Sequence, residues 1–190
     1  MKYLGSKKIE TSRLILRATA EPDLKVLWQI LCIPEVNRYY LSSKLHFNWE
    51  EELPWQMQKL AHANDQNVFC WSIILKENSE CIGQITVQRK ENFPDDIRDI
   101  GWFINPLYQR HGYAYEAAQA IIEYMFTEVG IKKILTGAAI ANQASWQLMK
   151  KLGFKRLVGQ NFFTKYTFAS SEDELYAYEL EASSFKGGAK

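Results

Sequence analysis

Residues 109–114, which read Gln-Arg-His-Gly-Tyr-Ala, carry the residue types best suited to binding an anion. They lie between a strand-like run that ends at Pro106 and an amphipathic helical pattern that starts near Gly112. Backbone N–H groups at the start of a helix lack partners and favour negative charge, and glycine permits close approach to them. The segment therefore predicts an anion site built mainly from backbone groups. Taken alone, it is equally compatible with an ordinary glycine-containing turn.

The histidines and cysteines elsewhere in the chain lack the spacing of a metal or nucleophile site. His46 and His62 have no partners at the intervals of a zinc site or a Ser-His-Asp triad. The cysteines number 3, an odd count, and none belongs to a CxxC pattern, which predicts neither a zinc site nor a disulfide framework. We therefore expect no metal and a reducing, cytoplasmic location.

The composition is that of a globular protein. Of 190 residues, 47% are hydrophobic and 24% are charged, and the formal net charge is +1. This balance gives no long-range field to attract nucleic acid, and no apolar run approaches the ~18 residues of a membrane span. The first residues lack the apolar core of a signal peptide. We expect one domain over residues 1–182, a flexible C-terminal tail over residues 183–190, and no nucleic-acid or membrane partner.

Stretches that alternate with period two predict the sheet that must position the 109–114 segment. Residues 68–75 and 82–87 flank a polar turn and predict an antiparallel hairpin, and a third strand is expected over residues 97–104. Further strands are expected over residues 14–16, 134–139, 154–158 and 175–180. The middle of the chain is therefore predicted to be a meander.

Apolar residues at helical spacing predict the helices. The first helix opens at Glu21 and is stopped by Pro34, and a second is expected over about residues 49–62, where Pro54 predicts a break or a late start. A long helix follows the 109–114 segment and ends at Gly130. The side-chain N-cap candidates are Asn48 and Asn142. Together these elements predict an α/β fold with a mixed, mostly antiparallel, twisted central sheet flanked by helices.

Gln109, Gly112 and Ala114 have the spacing Gln-x-x-Gly-x-Ala at a strand-to-helix junction. This spacing matches the main motif, Gln/Arg-x-x-Gly-x-Gly/Ala, of the GNAT superfamily of acyl-CoA-dependent N-acyltransferases, which the chain resembles. Similarity to the RimJ/RimL branch, the ribosomal-protein N-terminal acetyltransferases and their relatives, extends through residues 11–17, 100–106, 114–117, 142–145 and 152–154. The resemblance covers about residues 9–181, and it makes an ordinary turn at residues 109–114 improbable.

The resemblance implies that acetyl-CoA is the co-substrate. In this superfamily the strand before the loop separates from its neighbour and pairs with the pantetheine arm like an added strand. The implied backbone contacts are Trp102, Phe103 and Ile104. The implied pyrophosphate contacts are Gln109, Arg110, His111, Gly112, Tyr113 and Ala114. Asn142 resembles the residue that bonds the pantetheine amide, a role compatible with an N-cap, and Glu116 matches a first-turn acid that favours the helix dipole.

Acetyl transfer to an amine needs a base, an oxyanion donor and a proton for the departing thiolate. The resemblance implies a backbone N–H of Phe103 or Ile104 as the oxyanion donor. Many superfamily members have a tyrosine seven residues after the asparagine, where this chain has Met149. The acid role then shifts to Ser145, which corresponds to a serine implicated in the RimJ/RimL branch and could instead be a small residue packed beside the cofactor. Asp99 corresponds to a strand carboxylate that could act as base, directly or through water, or could be a salt-bridged surface residue.

Several aromatic residues cluster in the first third of the chain, the part that usually shapes the acceptor groove in this superfamily. They are Trp28, Tyr39, Tyr40, Trp49 and Trp55. Some will belong to the core, and the others predict an aromatic slot for a peptide N-terminus or a small amine.

The sequence thus favours an acetyl-CoA-dependent N-acetyltransferase that acts on a primary amine, a protein N-terminus or a small molecule, by direct transfer in a ternary complex. It is compatible with a monomer or a homodimer. A non-catalytic acyl-CoA-binding GNAT-fold module is the alternative, because the tyrosine is absent at Met149. A dinucleotide-binding domain is disfavoured, since the loop lacks GxGxxG and follows a meander.

Overall fold

A computed structural model of the chain describes residues 2, 4–39, 45–63, 67–158 and 175–187. Within these residues, eight strands form one sheet in the order β1-β2-β3-β4-β5-β6-β8-β7. The strands are β1 (Ile9–Glu10), β2 (Leu14–Ala18), β3 (Val68–Leu75), β4 (Cys81–Gln88), β5 (Ile97–Ile104), β6 (Lys133–Ala139), β7 (Lys155–Leu157) and β8 (Leu175–Glu181). The helices are α1 (Glu21–Leu31), α2 (Pro34–Asn37), α3 (Trp49–His62), α4 (Tyr113–Tyr124) and α5 (Gln143–Lys151). The predicted mixed α/β class is confirmed.

The meander predicted for the middle of the chain is observed in β3, β4 and β5, and antiparallel pairing extends it to β2 and β1. In the hairpin of β3 and β4, Trp71 lies opposite Ile85, and β4 continues into β5 with Ile85 opposite Trp102. Apolar residues on one face of these strands, such as Trp71 and Ile85, are fully buried. This alternation of buried and polar residues fixes the register, because a slip by one residue would turn the apolar side chains to solvent.

The sheet changes direction between β5 and β6. These strands are parallel, and their pairing consists of Ile97 with Lys133 and Arg98 with Ile134. Beyond these pairs, a side-chain hydrogen bond joins the two strands: the Thr136 hydroxyl donates to the Ile100 carbonyl at 2.7 Å. The remaining residues of β5 then diverge from β6 and leave a split in the sheet.

Helices cover both faces of the sheet. On one face, Asp23 of α1 accepts a hydrogen bond from Ser72 of β3 at 2.8 Å. On the other, Tyr124 of α4 meets Trp71 of β3 edge to face, with ring centroids 5.9 Å apart. The apolar stripe of α4 is fully buried against the sheet and comprises Ala117, Ala118, Ile121 and Ile122. The small alanines let this helix lie close to the strands and bring its start to the split.

Two prolines act differently from the sequence prediction. Pro34 does not merely stop the first helix, which ends at Leu31, but occupies the first position of α2, where its missing N–H has no helical partner to lose. Pro54 lies inside α3 without a break. It is exposed, so the carbonyl left without a donor one turn earlier can bind water.

The structure continues past β8 into the segment predicted to be a tail. A 3-10 turn (Ala182–Ser184) leads Phe185 onto Phe126, with ring centroids 5.5 Å apart. Residues 188–190 of that tail lie outside the described residues.

Candidate functional site

The split between β5 and β6 exposes backbone groups on one side of β5. The carbonyls of Asp96 and Ile100 face β6, since they accept from Lys132 N at 2.9 Å and from the Thr136 hydroxyl. Alternate residues of a strand direct their backbone groups to the same side. The N–H groups of Trp102 and Ile104 therefore face the split.

The backbone groups of Phe103 point to the other edge of β5, towards β4. This residue lies opposite Gln84 in β4, and its carbonyl approaches Gly83 closely. Phe103 thus directs its backbone to β4 and not to the split, contrary to the expectation that it would pair with pantetheine or donate to an oxyanion. Its side chain instead packs against the apolar cluster of α1 and α2 that includes Ile30 and Val36.

The loop after β5 bends sharply before α4. Arg110 has φ 63° and Gly112, the residue preceding α4, has φ 83°. Such left-handed conformations are most readily adopted by glycine. A Cβ at Gly112 would also lie 3.4 Å from Nη2 of Arg13. These bends let the first N–H groups of α4 emerge at the mouth of the split, where an anion can reach them.

Gln109 joins this loop to the strand. Its side-chain nitrogen donates to the Ile104 carbonyl at 3.1 Å, and its own carbonyl lies 2.8 Å from Nδ1 of His111. The ring of His111 stacks on Tyr113 with centroids 5.8 Å apart. Gln109, Arg110 and His111 are exposed, whereas Tyr113 and Ala114 are half-buried. The predicted pyrophosphate residues therefore form one continuous turn beside the split.

Arg13, the residue immediately before β2, fixes this loop and is a residue that sequence reasoning did not assign. Its guanidinium donates to the His111 carbonyl at 2.9 Å and to Glu116 at 2.7 Å, and it lies 4.5 Å from the centroid of the Tyr113 ring. Thr11 donates to the same carboxylate at 2.6 Å. Burial raises the pKa of Glu116, but the hydrogen bonds from Thr11 and Arg13 outweigh it and hold that pKa below its usual value.

The opposite wall of the split ends at the start of α5. Asn142 caps this helix as predicted, since its side-chain oxygen accepts from Ser145 N at 3.2 Å. Within the part of the chain that the structure describes, the side-chain NH2 group has no hydrogen-bond partner, so it can donate to a ligand. Ser145 is half-buried at the helix start. Met149 lies one helical turn further along α5 with 1% of its surface exposed, so position 149 belongs to the core.

Asp99 lies at the closed end of the split and on the face of β5 that carries Gly101 and Phe103. Its carboxylate pairs with Lys90 at 3.2 Å, and its side chain is 22% exposed. Trp102 is three residues further along the strand, about 10 Å away. The structure therefore does not bring Asp99 into direct contact with the part of β5 that faces the split, and a proton would have to pass through water.

The comparisons with known proteins agree with this geometry. The family described as Acetyltransferase (GNAT) domain matches residues 13–155. The chain belongs to this GNAT family. The uncharacterized N-acetyltransferase YnaD of Bacillus subtilis is 31% identical over 175 residues, which cover 91% of this chain and 96% of YnaD. The chain is accordingly an N-acetyltransferase.

Solved structures share the fold of this GNAT protein. A GNAT-family acetyltransferase from Bacillus anthracis superposes with a TM-score of 0.76 at 22% identity, over 93% of this chain and 99% of that one. The ribosomal-protein-S5-alanine acetyltransferase from Vibrio fischeri does so with a TM-score of 0.73 at 17% identity, over 95% and 99%. At identities this low, the structural similarity establishes the shared fold alone.

The aromatic cluster of the acetyltransferase divides between structural and exposed residues. Trp28 packs on Trp49 with centroids 5.2 Å apart and donates to the His46 carbonyl at 2.8 Å, so it holds the segment before α3. Trp55 is 55% exposed. Tyr39 reaches across to the other wall of the split. Tyr40 lies outside the described residues.

A groove of about 540 Å³ opens beside the first turns of α4 in this GNAT protein. It begins at Gly112, and the ammonium group of Lys151 lies 4.4 Å from the centroid of the Tyr115 ring on its wall. Sequence reasoning missed both lining residues, because α4 and α5 meet only in the folded chain.

Across the described ranges, no group of three or more His, Cys, Asp or Glu side chains could hold a metal ion. No helix built from the described residues is long and apolar enough to cross a membrane.

Proposed function

We propose that this GNAT enzyme uses acetyl-CoA to acetylate a primary amine by direct transfer in a ternary complex. The split between β5 and β6, which ends at the Gly112 loop, is the observation that carries the proposal. It combines an open strand edge with a helix start, and these suit an extended amide chain and a pyrophosphate respectively. The family match supports the donor, since GNAT domains use acetyl-CoA as co-substrate.

The residues that would hold acetyl-CoA follow from this arrangement. The N–H groups of Trp102 and Ile104 and the side-chain NH2 of Asn142 would bind the pantetheine arm. The backbone of the 109–114 loop would bind the pyrophosphate. Lys151 and Tyr115 in the adjoining groove suit the phosphorylated adenosine end, since they offer one cation and one aromatic face.

Acetyl-CoA supplies an acetyl group that is already activated as a thioester. The N–H of Trp102 or Ile104 would stabilise the oxygen that gains negative charge. Ser145 Oγ would give a proton to the departing thiolate, and Asp99 would take the amine proton through water. An α-amine, with a pKa near ~8, loses its proton more readily than a lysine near ~10.4.

The acceptor that we favour is a protein N-terminus or a small amine, as in the RimJ/RimL branch, and the proposed location is the cytoplasm. Support comes from the resemblance of residues 11–17 to that branch. It also comes from the exposed Trp55, which belongs to the aromatic cluster predicted to form the acceptor slot. Family membership and the similarity to YnaD favour catalysis over a non-catalytic acyl-CoA-binding module.

Thiol release from acetyl-CoA across a panel of amines tests the proposal. The panel holds peptides with free N-termini, the same peptides with acetylated N-termini, polyamines and amino acids. We expect turnover with a free amine and background release with the blocked peptides. Tight CoA binding without turnover for any amine would contradict the proposed transfer.

Substitutions test the assigned roles in the same assay. Ser145→Ala and Asp99→Asn should each lower kcat by about 100-fold, the typical contribution of a general acid or base. Asp95→Asn is the matched control for Asp99, because it also removes a carboxylate that pairs with a cation, here Arg89 at 3.1 Å. Asp95→Asn should leave kcat unchanged. Equal effects of the two aspartate substitutions on kcat would contradict the proposed role of Asp99 as the base.

A further inference from the structure

Tyr39 brings a phenol to the split from the segment that follows α2. It lies two residues after α2, is half-buried, and donates from Oη to the Ala141 carbonyl at 3.2 Å. Ala141 immediately precedes Asn142, the cap of α5. Gln143 N donates to the same carbonyl at 3.0 Å. The phenol therefore contacts the turn that forms one wall of the split.

The other end of this connection is anchored to β5. Tyr39 N donates to the Val36 carbonyl at 3.2 Å. Val36 belongs to the apolar cluster against which Phe103 of β5 packs. The guanidinium of Arg38 lies 5.0 Å from the centroid of the Tyr39 ring and restrains it. Tyr39 thus links the β5 wall to the β6–α5 wall.

The level at which Tyr39 crosses the split decides its role. The closed end lies at the bond between Thr136 and Ile100. Ala141 is five residues beyond Thr136 in the chain and two beyond the end of β6, so the Tyr39 bond crosses the open end of the split. The 109–114 loop, which would hold the pyrophosphate, also follows the open end of β5, so this level suits the pantetheine arm that extends from the loop.

We propose that Tyr39 is a positioning residue that spans the split and encloses the bound pantetheine arm, an inference that rests on the proposed acetyl-CoA site. With the arm paired to β5 on one side and bounded by the Asn142 turn on the other, the phenol covers a third side. Release of the arm then requires the bond from Tyr39 to Ala141 to break. Tyr39 thereby slows the dissociation of CoA and keeps the thioester in the split.

The dissociation rate of CoA tests this inference without any knowledge of the acceptor. CoA is bound to the full chain and displaced by excess acetyl-CoA in a stopped-flow experiment. Tyr39→Phe removes only the hydroxyl and should raise the rate by about 3- to 10-fold, the effect of one hydrogen bond. Tyr39→Ala should raise it further, and both should increase KM for acetyl-CoA more than they change kcat.

Tyr124→Phe is the matched control. It removes another phenol that donates to a backbone carbonyl, that of Gly5 at 2.8 Å, at the far end of α4. It should leave the CoA dissociation rate within about twofold of wild type. An unchanged rate in Tyr39→Phe, or an equal rise in Tyr124→Phe, overturns the inference. Failure of the wild-type chain to bind CoA instead overturns the proposed function on which it rests.

Discussion

Arg13 holds the loop of the candidate site through contacts that a lysine cannot reproduce. Its planar guanidinium serves the Glu116 carboxylate and the His111 carbonyl at once while lying over Tyr113. We expect Arg13→Lys to raise KM for acetyl-CoA by about 10-fold with a smaller change in kcat, because the loop loses its orientation but keeps its N–H groups. Steady-state kinetics at a saturating amine concentration would measure this.

Arg89→Lys is the control for Arg13. Arg89 also binds a carbonyl and a carboxylate, those of Phe93 at 3.0 Å and Asp95 at 3.1 Å, but in the turn between β4 and β5. Its substitution should leave KM for acetyl-CoA unchanged. If both variants raise KM equally, Arg13 acts through general stability and not through the loop.

Single site residues were predictable from sequence where their partners are local. Gly112 and the Asn142 cap were recognised because a turn and an N-cap are formed within a few residues. Arg13 was missed, and Tyr39 was predicted only as part of an acceptor slot, since their contacts span 103 and 102 residues of sequence. The orientation of the Phe103 backbone towards β4 could not be predicted, because the side to which a strand residue directs its backbone depends on pairing.

At the scale of elements, Asp23 joins α1 to the sheet. Its carboxylate accepts from Arg17, from Ala20 N and from Ser72. Burial raises the pKa of Asp23, but these hydrogen bonds outweigh it, so the folded pKa lies below the ordinary value. The stabilisation is therefore present above the unfolded pKa of about 3.9 and is lost as pH falls through the folded pKa.

Asp23→Asn should lower the free energy of unfolding at pH 7 by about 1–3 kcal/mol, because a buried charged acceptor is lost. The loss should shrink as the pH falls below the unfolded pKa of about 3.9, because the unfolded state then binds the proton first, and it should vanish below the lower folded pKa. Urea unfolding at pH 7 and at pH 3 would measure both effects. Asp96→Asn, at a more exposed ion pair with Lys132, should cost less. A loss in Asp23→Asn that is the same at both pH values would contradict the charge-based account.

The contact between β4 and β5 beside the split depends on Gly83. A Cβ at this position would press against the Phe103 carbonyl and would lie 3.0 Å from Ile104 Cα. Gly83→Ala should therefore destabilise the fold by about 1–3 kcal/mol, as overpacking does. Gly101→Ala is the control on β5, because a Cβ there meets nothing within 4 Å. Thermal unfolding should separate the two, and equal losses would show that the β4–β5 contact is not the cause.

Most elements were predictable because their patterns are local. Strand β5 was predicted with its observed limits, and Gly130 ends the α4 region with φ 80°. Strand β1, of two residues, was missed since it is too short for a periodic signal. Pro34 and Pro54 were misjudged because the effect of a proline depends on its place in a helix and on solvent access.

At the scale of the whole molecule, the site is a consequence of chain direction. The antiparallel meander ends at β5, and α4 then returns the chain so that β6 runs parallel to it. The two strands pair only where they begin, so the site lies between the two halves of the sheet. A ligand that binds both walls should therefore stabilise the fold as a unit.

Saturating acetyl-CoA should raise the melting temperature of the chain. At a concentration of about 100 Kd, binding to the folded state adds about 2.7 kcal/mol, which corresponds to a rise of about 5–10 °C for a chain of this size. NAD serves as the control, since it shares the adenosine and pyrophosphate groups but lacks the pantetheine arm that would occupy the split. Differential scanning fluorimetry should show a clear shift with acetyl-CoA and little with NAD. Equal shifts would mean that the loop binds nucleotides in general, and that the open edge of β5 at Trp102 and Ile104 takes no part in recognition.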